Sequence, residues 1–284
     1  MKTRLKRKGR LLVLMWLGVG LFYASLALTQ RSGDVAADVL GFRADDQSLP
    51  SVAEVTSQNR AQLTQVSGTP PDSTPLLPDL VAHPPSDLGL IGSREDGSLR
   101  LKFTTRFSNQ GEGPLEVRPE GAGGDGETLR QVVYSADPGA PLEERPEVGR
   151  YTFEQAHGHL HIEAFAYYEV WSVDEAGNLR DPLVSNPKVG FCLIDAEIVD
   201  PEVTSRDTQV YWGCRSEVQG LSPGWGDVYT SLLAMQDLNV SELPEGRYAL
   251  VNAINHEGTL LEETYENNRA WVYLSIREGQ VRLE

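Results

Sequence analysis

The chain has 284 residues, 41 Asp plus Glu against 25 Lys plus Arg, and a formal net charge of -16. That length permits one substantial domain with appendages or two small domains, and the acidic balance disfavours nucleic-acid binding because it repels a phosphate backbone. An acidic body attracts cationic partners such as amines, although an acidic surface also serves solubility alone.

The N-terminus is basic and then apolar. Lys2, Arg4, Lys6, Arg7, Lys8 and Arg10 precede the run from Leu11 to Leu28, with no acid before residue 30. Residues 1–28 read as a signal peptide or a signal anchor. Ser25-Leu26-Ala27 offers a small-x-small cleavage site, and the apolar run reaches the lower limit for a spanning helix, ~17 residues. Either form leaves residues 30–284 outside the cytoplasm. The protein is therefore expected to be extracytoplasmic, secreted or held to the membrane by its N-terminal helix. Residues 29–76 are polar and Pro-containing towards their end, too poor in apolar surface for a core, and read as a linker or stalk. A short amphipathic helix is compatible with Val52 to Val66.

From Leu76 onward strand patterning dominates: LRLKFTTRF (99–107), GRYTF (149–153), HLHIEAFAYYEVWSV (159–173), KVGFCLI (188–194), RYALVNAIN (247–255) and RAWVYLSI (269–276). Turn-forming stretches separate them: NQGEGP, GAGGDGE, DEAGN, NHEGT and ENN. Short strands at such spacing predict an all-β fold, a β-sandwich with long loops and little helix, preceded by the N-terminal apolar helix. SLLAMQDL (231–238) carries helical character. One domain, residues 77–278, with a C-terminal tail at 279–284, is the economical division.

Three of the five histidines fall at His157, His159 and His161. Residues two apart on a strand share a face, so the spacing predicts three imidazoles projecting together, ~6.6 Å apart along the strand. Gly158, Leu160, Ile162, Ala164 and Ala166 would face the core. Neutral imidazoles suit copper or zinc, and an all-nitrogen set with room for water or substrate suits a reactive site. Glu163 shares the histidine face; it either orients a ligand ring or is simply solvated. Cys192 and Cys214 lie in a compartment where a disulfide persists. Joined, they would close a loop of 23 residues counted inclusively, for which chain entropy gives ~3.4 kcal/mol; the alternative is two free buried thiols.

AHGHLHIEAF resembles the copper-binding segment of the lysyl oxidases, and four further stretches follow that family's order: RFSNQGEGPLEVRP (106–119) before it, then NPKVGFCLIDA (186–196), QGLSPGWGDVY (219–229) and LPEGRYALVNAINHEGTLLEETYENN (243–268). The resemblance implies a copper-dependent amine oxidase converting primary amines, including peptidyl lysine, to aldehydes with oxygen as acceptor and release of hydrogen peroxide and ammonia. It implies His157, His159 and His161 as copper ligands, a lysyl tyrosylquinone cofactor built from Lys188 and Tyr229, and a Cys192–Cys214 disulfide. Asp227, two residues before Tyr229, is the leading candidate for the general base, with a turn or capping residue as the alternative reading. The chain departs from the animal enzymes in having fewer cysteines, and in having Glu154 where they carry a further histidine.

Two other classes compete. A non-catalytic extracellular metal-binding β-sandwich interaction module would share the strands and the histidines; Lys188 and Tyr229 discriminate against it. A zinc hydrolase would use the same triad, but neither a second acidic cluster nor a nucleophile elbow is evident.

Overall fold

The computed structural model describes residues 74–284, apart from 94–95, 137–140, 205–206, 215–216 and the side chains of 187–189. The expected signal or anchor segment, the linker and the amphipathic stretch at 52–66 lie outside the described residues.

β-Branched and aromatic runs bounded by Gly, Asn and Asp become strands. Among the described residues there are sixteen and no helix. The first eight are β1 (Pro75–Leu76), β2 (Leu80–Ala82), β3 (Ser86–Gly92), β4 (Leu99–Asn109), β5 (Leu115–Pro119), β6 (Thr128–Ser135), β7 (Pro141–Glu154) and β8 (His159–Val173). The remainder are β9 (Leu179–Phe191), β10 (Glu197–Ile198), β11 (Gln219–Leu221), β12 (Trp225–Tyr229), β13 (Asp237–Asn239), β14 (Gly246–Ile254), β15 (Arg269–Arg277) and β16 (Gln280–Leu283). One sheet runs β11-β5-β6-β7-β8-β14-β15-β16, with β1 on β6 and β9 on β8. The other runs β10-β12-β4-β13, with β2 and β3 also on β4.

The core lies between the two sheets. Phe103 of β4 meets Tyr168 of β8 edge-on at 5.0 Å between ring centroids, and Phe107 meets Phe191 of β9 at 5.3 Å. Tyr229 of β12 packs on Phe191 at 4.0 Å. These pairs cross from sheet to sheet, so the expected all-β sandwich is the fold observed. Each such ring pair contributes about 0.5–1.5 kcal/mol beyond its area burial.

The helical expectation for 231–238 is overturned. Residues 231–235 form turns, and Asp237–Asn239 pairs with Lys102, Leu101 and Arg100 of β4. Leu232 is 91% exposed and Met235 has φ of 61°. A two-turn helix leaves most of its terminal N–H and C=O groups without partners and nucleates poorly; the edge of β4 offers bonds instead. Residues 280–283, expected as part of a tail, form β16 against β15.

Candidate metal centre and active site

The hairpin from β7 to β8 turns through residues 155–158. The Glu154 carbonyl accepts the N–H groups of His157 (3.2 Å) and Gly158 (2.7 Å). The Glu154 carboxylate accepts the N–H of Ala156 at 3.0 Å. Gly158 sits at φ of 72°, in the left-handed region that a side chain disfavours. His157 therefore stands on the turn, while His159 and His161 belong to β8, in register with Glu154 and Thr152 of β7. The expectation of three histidines on one strand is corrected to a turn-plus-strand arrangement. The turn brings the His157 ring onto the other two, while the His159 and His161 rings, both on β8, lean together from strand positions two apart.

The three rings converge. His161 Nε2 is 3.0 Å from His159 Nε2 and 3.2 Å from His157 Nδ1. Nitrogens each ~2.0–2.1 Å from one ion, at angles between square and tetrahedral, stand ~2.8–3.4 Å apart, so the observed spacing fits one metal ion. His157 Nε2 is 3.2 Å from the carbonyl oxygen of Ala234. If that nitrogen donates, Nδ1 presents its lone pair to the cluster, the usual way an outer partner fixes a ligating imidazole. Burial, then the neighbouring charges of His159 and His157, pulls His161 down to about 3. It is thus neutral and able to ligate at physiological pH.

β9 closes the other side of β8. From Ile162 to Ala166 the register slips, because Glu163, Ala164 and Phe165 bulge opposite Gly190, with Ala164 at φ of 54°. The alternation expected through Ala164 ends at Ile162; beyond it Phe165 and Ala166 are both buried. A Cβ on Gly190 would lie 2.8 Å from the His161 Cβ, so only glycine admits the ring here without displacement. Glu163 is exposed and lines a shallow cleft with Val148, Ala164 and His256, apart from the triad.

Tyr229 abuts the triad, its ring centroid 6.1 Å from that of His157 and 6.2 Å from that of His161. Its hydroxyl accepts the Cys192 N–H at 2.9 Å. Burial, then the charge of Asp227, pushes its phenol well above the usual tyrosine range. Asp227 lies two residues back on the same face of β12, 2% exposed. One carboxylate oxygen, Oδ1, accepts the Val228 N–H at 2.7 Å; the other, Oδ2, has no hydrogen-bond partner. Burial pushes Asp227 up to about 8 despite backbone bonds that oppose the shift.

Lys188 is a strand position in β9, and its side chain lies outside the described residues. Two residues to either side of it, Asn186 and Gly190 both line the triad cleft, together with Glu154, His157, His161, Tyr229 and Gln236. Cys192 and Cys214 are joined by a disulfide. The remaining histidines stay apart: His83 Nε2 is 2.9 Å from Ser108 Oγ, and His256 stacks on Tyr167.

The Lysyl oxidase family profile matches residues 137–284, just over half of the chain. The chain belongs to the lysyl oxidase family. It is similar to lysyl oxidase homolog 2 of Gallus gallus, 27% identical over 150 residues, covering 48% of this chain and 18% of that protein. Protein-lysine 6-oxidase of Gallus gallus is 29% identical over 128 residues, covering 43% of this chain and 28% of the relative. The same enzyme of Sus scrofa is likewise 29% identical over 128 residues, with 47% of its length covered. The chain thus spans less than half the length of these curated relatives.

Within this lysyl oxidase-family domain several site residues carry no signal in the sequence. Ala234 contributes only a backbone carbonyl. Gln236 lies in a loop read as helical, and its Nε2 donates to Thr105 Oγ1 at 3.0 Å, on which the Tyr168 hydroxyl also converges at 2.7 Å. Gly190 was legible only as part of a motif, since its requirement arises from a bulge on the neighbouring strand. Glu154 drew attention as a departure from the animal enzymes; here its side chain holds the turn that carries His157, and it lines the cleft.

Proposed function

We propose that this protein is a copper-dependent amine oxidase acting on primary amines, peptidyl lysine among them, outside the cytoplasm. The observation that carries the reading is the convergence of three imidazoles on one point beside a buried tyrosine, in a chain of the lysyl oxidase family. The overall reaction takes a primary amine, oxygen and water to an aldehyde, ammonia and hydrogen peroxide. His157 Nδ1, His159 Nε2 and His161 Nε2 would hold the copper. Copper at the triad, with a quinone derived from Lys188 and Tyr229, supplies the electron sink and the route to oxygen.

The chain's own residues do the rest. The Ala234 carbonyl orients His157. Phe191 packs on the Tyr229 ring and is itself backed by Phe107 and Phe165, an apolar cluster that keeps water from that contact. Glu154, at the cleft, presents a carboxylate to an arriving ammonium group. Asp227 Oδ2, without a partner, holds or releases a proton beside Tyr229, and we assign it the role of general base.

Peptide mass mapping of copper-loaded, aerated protein tests this reading. It predicts a cross-linked peptide containing Lys188 and Tyr229, reaction with phenylhydrazine, and hydrogen peroxide from a simple alkylamine. Lys188→Ala and Tyr229→Phe should each abolish the last two signals while copper remains bound. Wild-type protein that binds copper, forms no cross-link and yields no peroxide from any primary amine would instead be a metal-binding interaction module.

A further inference from the structure

The disulfide is not remote from the triad. A ring nitrogen of His159 and the sulfurs of Cys192 and Cys214 lie within 4.8 Å of one another, as do the ligand nitrogens of the three histidines. His159 is common to both groups. The Cys192 and Cys214 Cα atoms are 5.3 Å apart, so on cleavage of the bridge both side chains reach a common ion by rotating about their own bonds. Cys192 is buried, whereas Cys214 and His159 are partly exposed and give a reductant and a cation access.

We propose that the reduced chain has a second metal site, formed by His159, Cys192 and Cys214, which takes a thiophilic cation such as Cu(I) or Zn(II). Closing the disulfide abolishes it and commits His159 to the triad. A dithiol reductant gives two electrons and two protons to the bridge, closing to its own disulfide and leaving a thiol on each cysteine. The cation displaces both thiol protons on binding. Ligand distances of ~2.3 Å to sulfur and ~2.0–2.1 Å to nitrogen put sulfur and nitrogen ~3.5 Å and the two sulfurs ~3.8 Å apart, so from separations within 4.8 Å the nitrogen closes by no more than about 1.3 Å while the sulfurs, bonded at 2.07 Å, open. Two thiolates and one imidazole select Cu(I) or Zn(II), while three imidazoles also accept Cu(II). Oxidation state of the bridge thereby chooses which ion the pocket prefers, independently of whether the triad serves an oxidase.

The test uses the full chain, reduced with a phosphine that is then removed without air, and titrated with Co(II) alone. Reduced protein should bind Co(II) with a thiolate-to-cobalt charge-transfer band that oxidised protein lacks. His159→Ala and Cys214→Ser should each weaken the ion giving that band at least about tenfold, while His157→Ala leaves its affinity within about twofold. Circular dichroism of the reduced protein should retain the sheet signal. The proposal is overturned by absence of the band in reduced protein, by equal affinity in His159→Ala, by equal loss in His157→Ala, or by collapse of the sheet signal on reduction.

Discussion

Asp227 and Glu262 are two buried carboxyls whose solvation costs oppose ionisation. Burial raises each to about 8, although Glu262 accepts hydrogen bonds from Leu80 N–H and from the side-chain amides of Asn255 and Asn268. An unfolded carboxyl titrates near 4. Between about 4 and 8 the folded chain therefore holds protons that the unfolded chain has released, and stability falls as pH rises through that window. Thermal melts of the metal-free protein should show the decline, and Asp227→Asn should flatten its share while leaving that of Glu262. In the proposed reaction the same residue must be ionised, so kcat in wild type should climb with an apparent pKa near 8 and lose that limb in Asp227→Asn. A profile that stays flat from 6 to 9 in wild type would remove Asp227 from the base role. For the metal, His159→Ala should lose copper by elemental analysis with circular dichroism unchanged; full occupancy in that variant would take the triad out of the site.

The elements that matter most are β8, β9 and the segments knotted beside them. Gly190→Ala places a methyl against His161 and should cost about 1–3 kcal/mol and weaken copper binding, read by chemical denaturation and metal titration. Asp195 carries a different load: its oxygens accept Val210 N–H (2.9 Å), Tyr211 N–H (3.2 Å), Ser222 N–H (2.7 Å) and the Ser222 hydroxyl (2.9 Å). It ties the disulfide-closed loop to the segment leading into β12. Asp195→Ala leaves the buried donors of Tyr211 and Ser222 without an acceptor and should cost at least about 2 kcal/mol; an unchanged denaturation midpoint would contradict it. Strand existence was legible at this scale because apolar and polar residues alternate in β4 and β8, β14 is a short apolar run buried almost throughout, and glycine or asparagine marks their ends. The bulge at 163–165 was not, because the register of β8 is set by β9 and β14, not by its own sequence. For the same reason the helical pattern of 231–238 misled: eight residues carry a period but not the knowledge that a free edge of β4 lies beside them. The histidines were legible as a group and their contacts were not, since a turn, not a strand, aims His157.

At the scale of the molecule, two sheets press an aromatic core between them and leave the triad at one cleft, with the bridge closing a loop in which β10 is the one strand among the described residues. A disulfide fits the oxidising compartment that the N-terminal pattern suggests. Replacing both cysteines with serine should lower stability by ~3.4 kcal/mol without altering the sheets, measured by denaturant unfolding with circular dichroism; an unchanged unfolding free energy would show that the loop is held by Asp195 and its neighbours alone. The phenol of Tyr229 has one further consequence. Its oxygen holds the amide hydrogen of Cys192, and so couples the tyrosine ring to the backbone at the disulfide. Turning the ring away would leave that buried N–H without its acceptor. Exchange of that single amide with deuterium should therefore be slow in wild type and faster in Tyr229→Phe, and a change in its rate on copper loading would report that the Tyr229 ring has moved, without any substrate present.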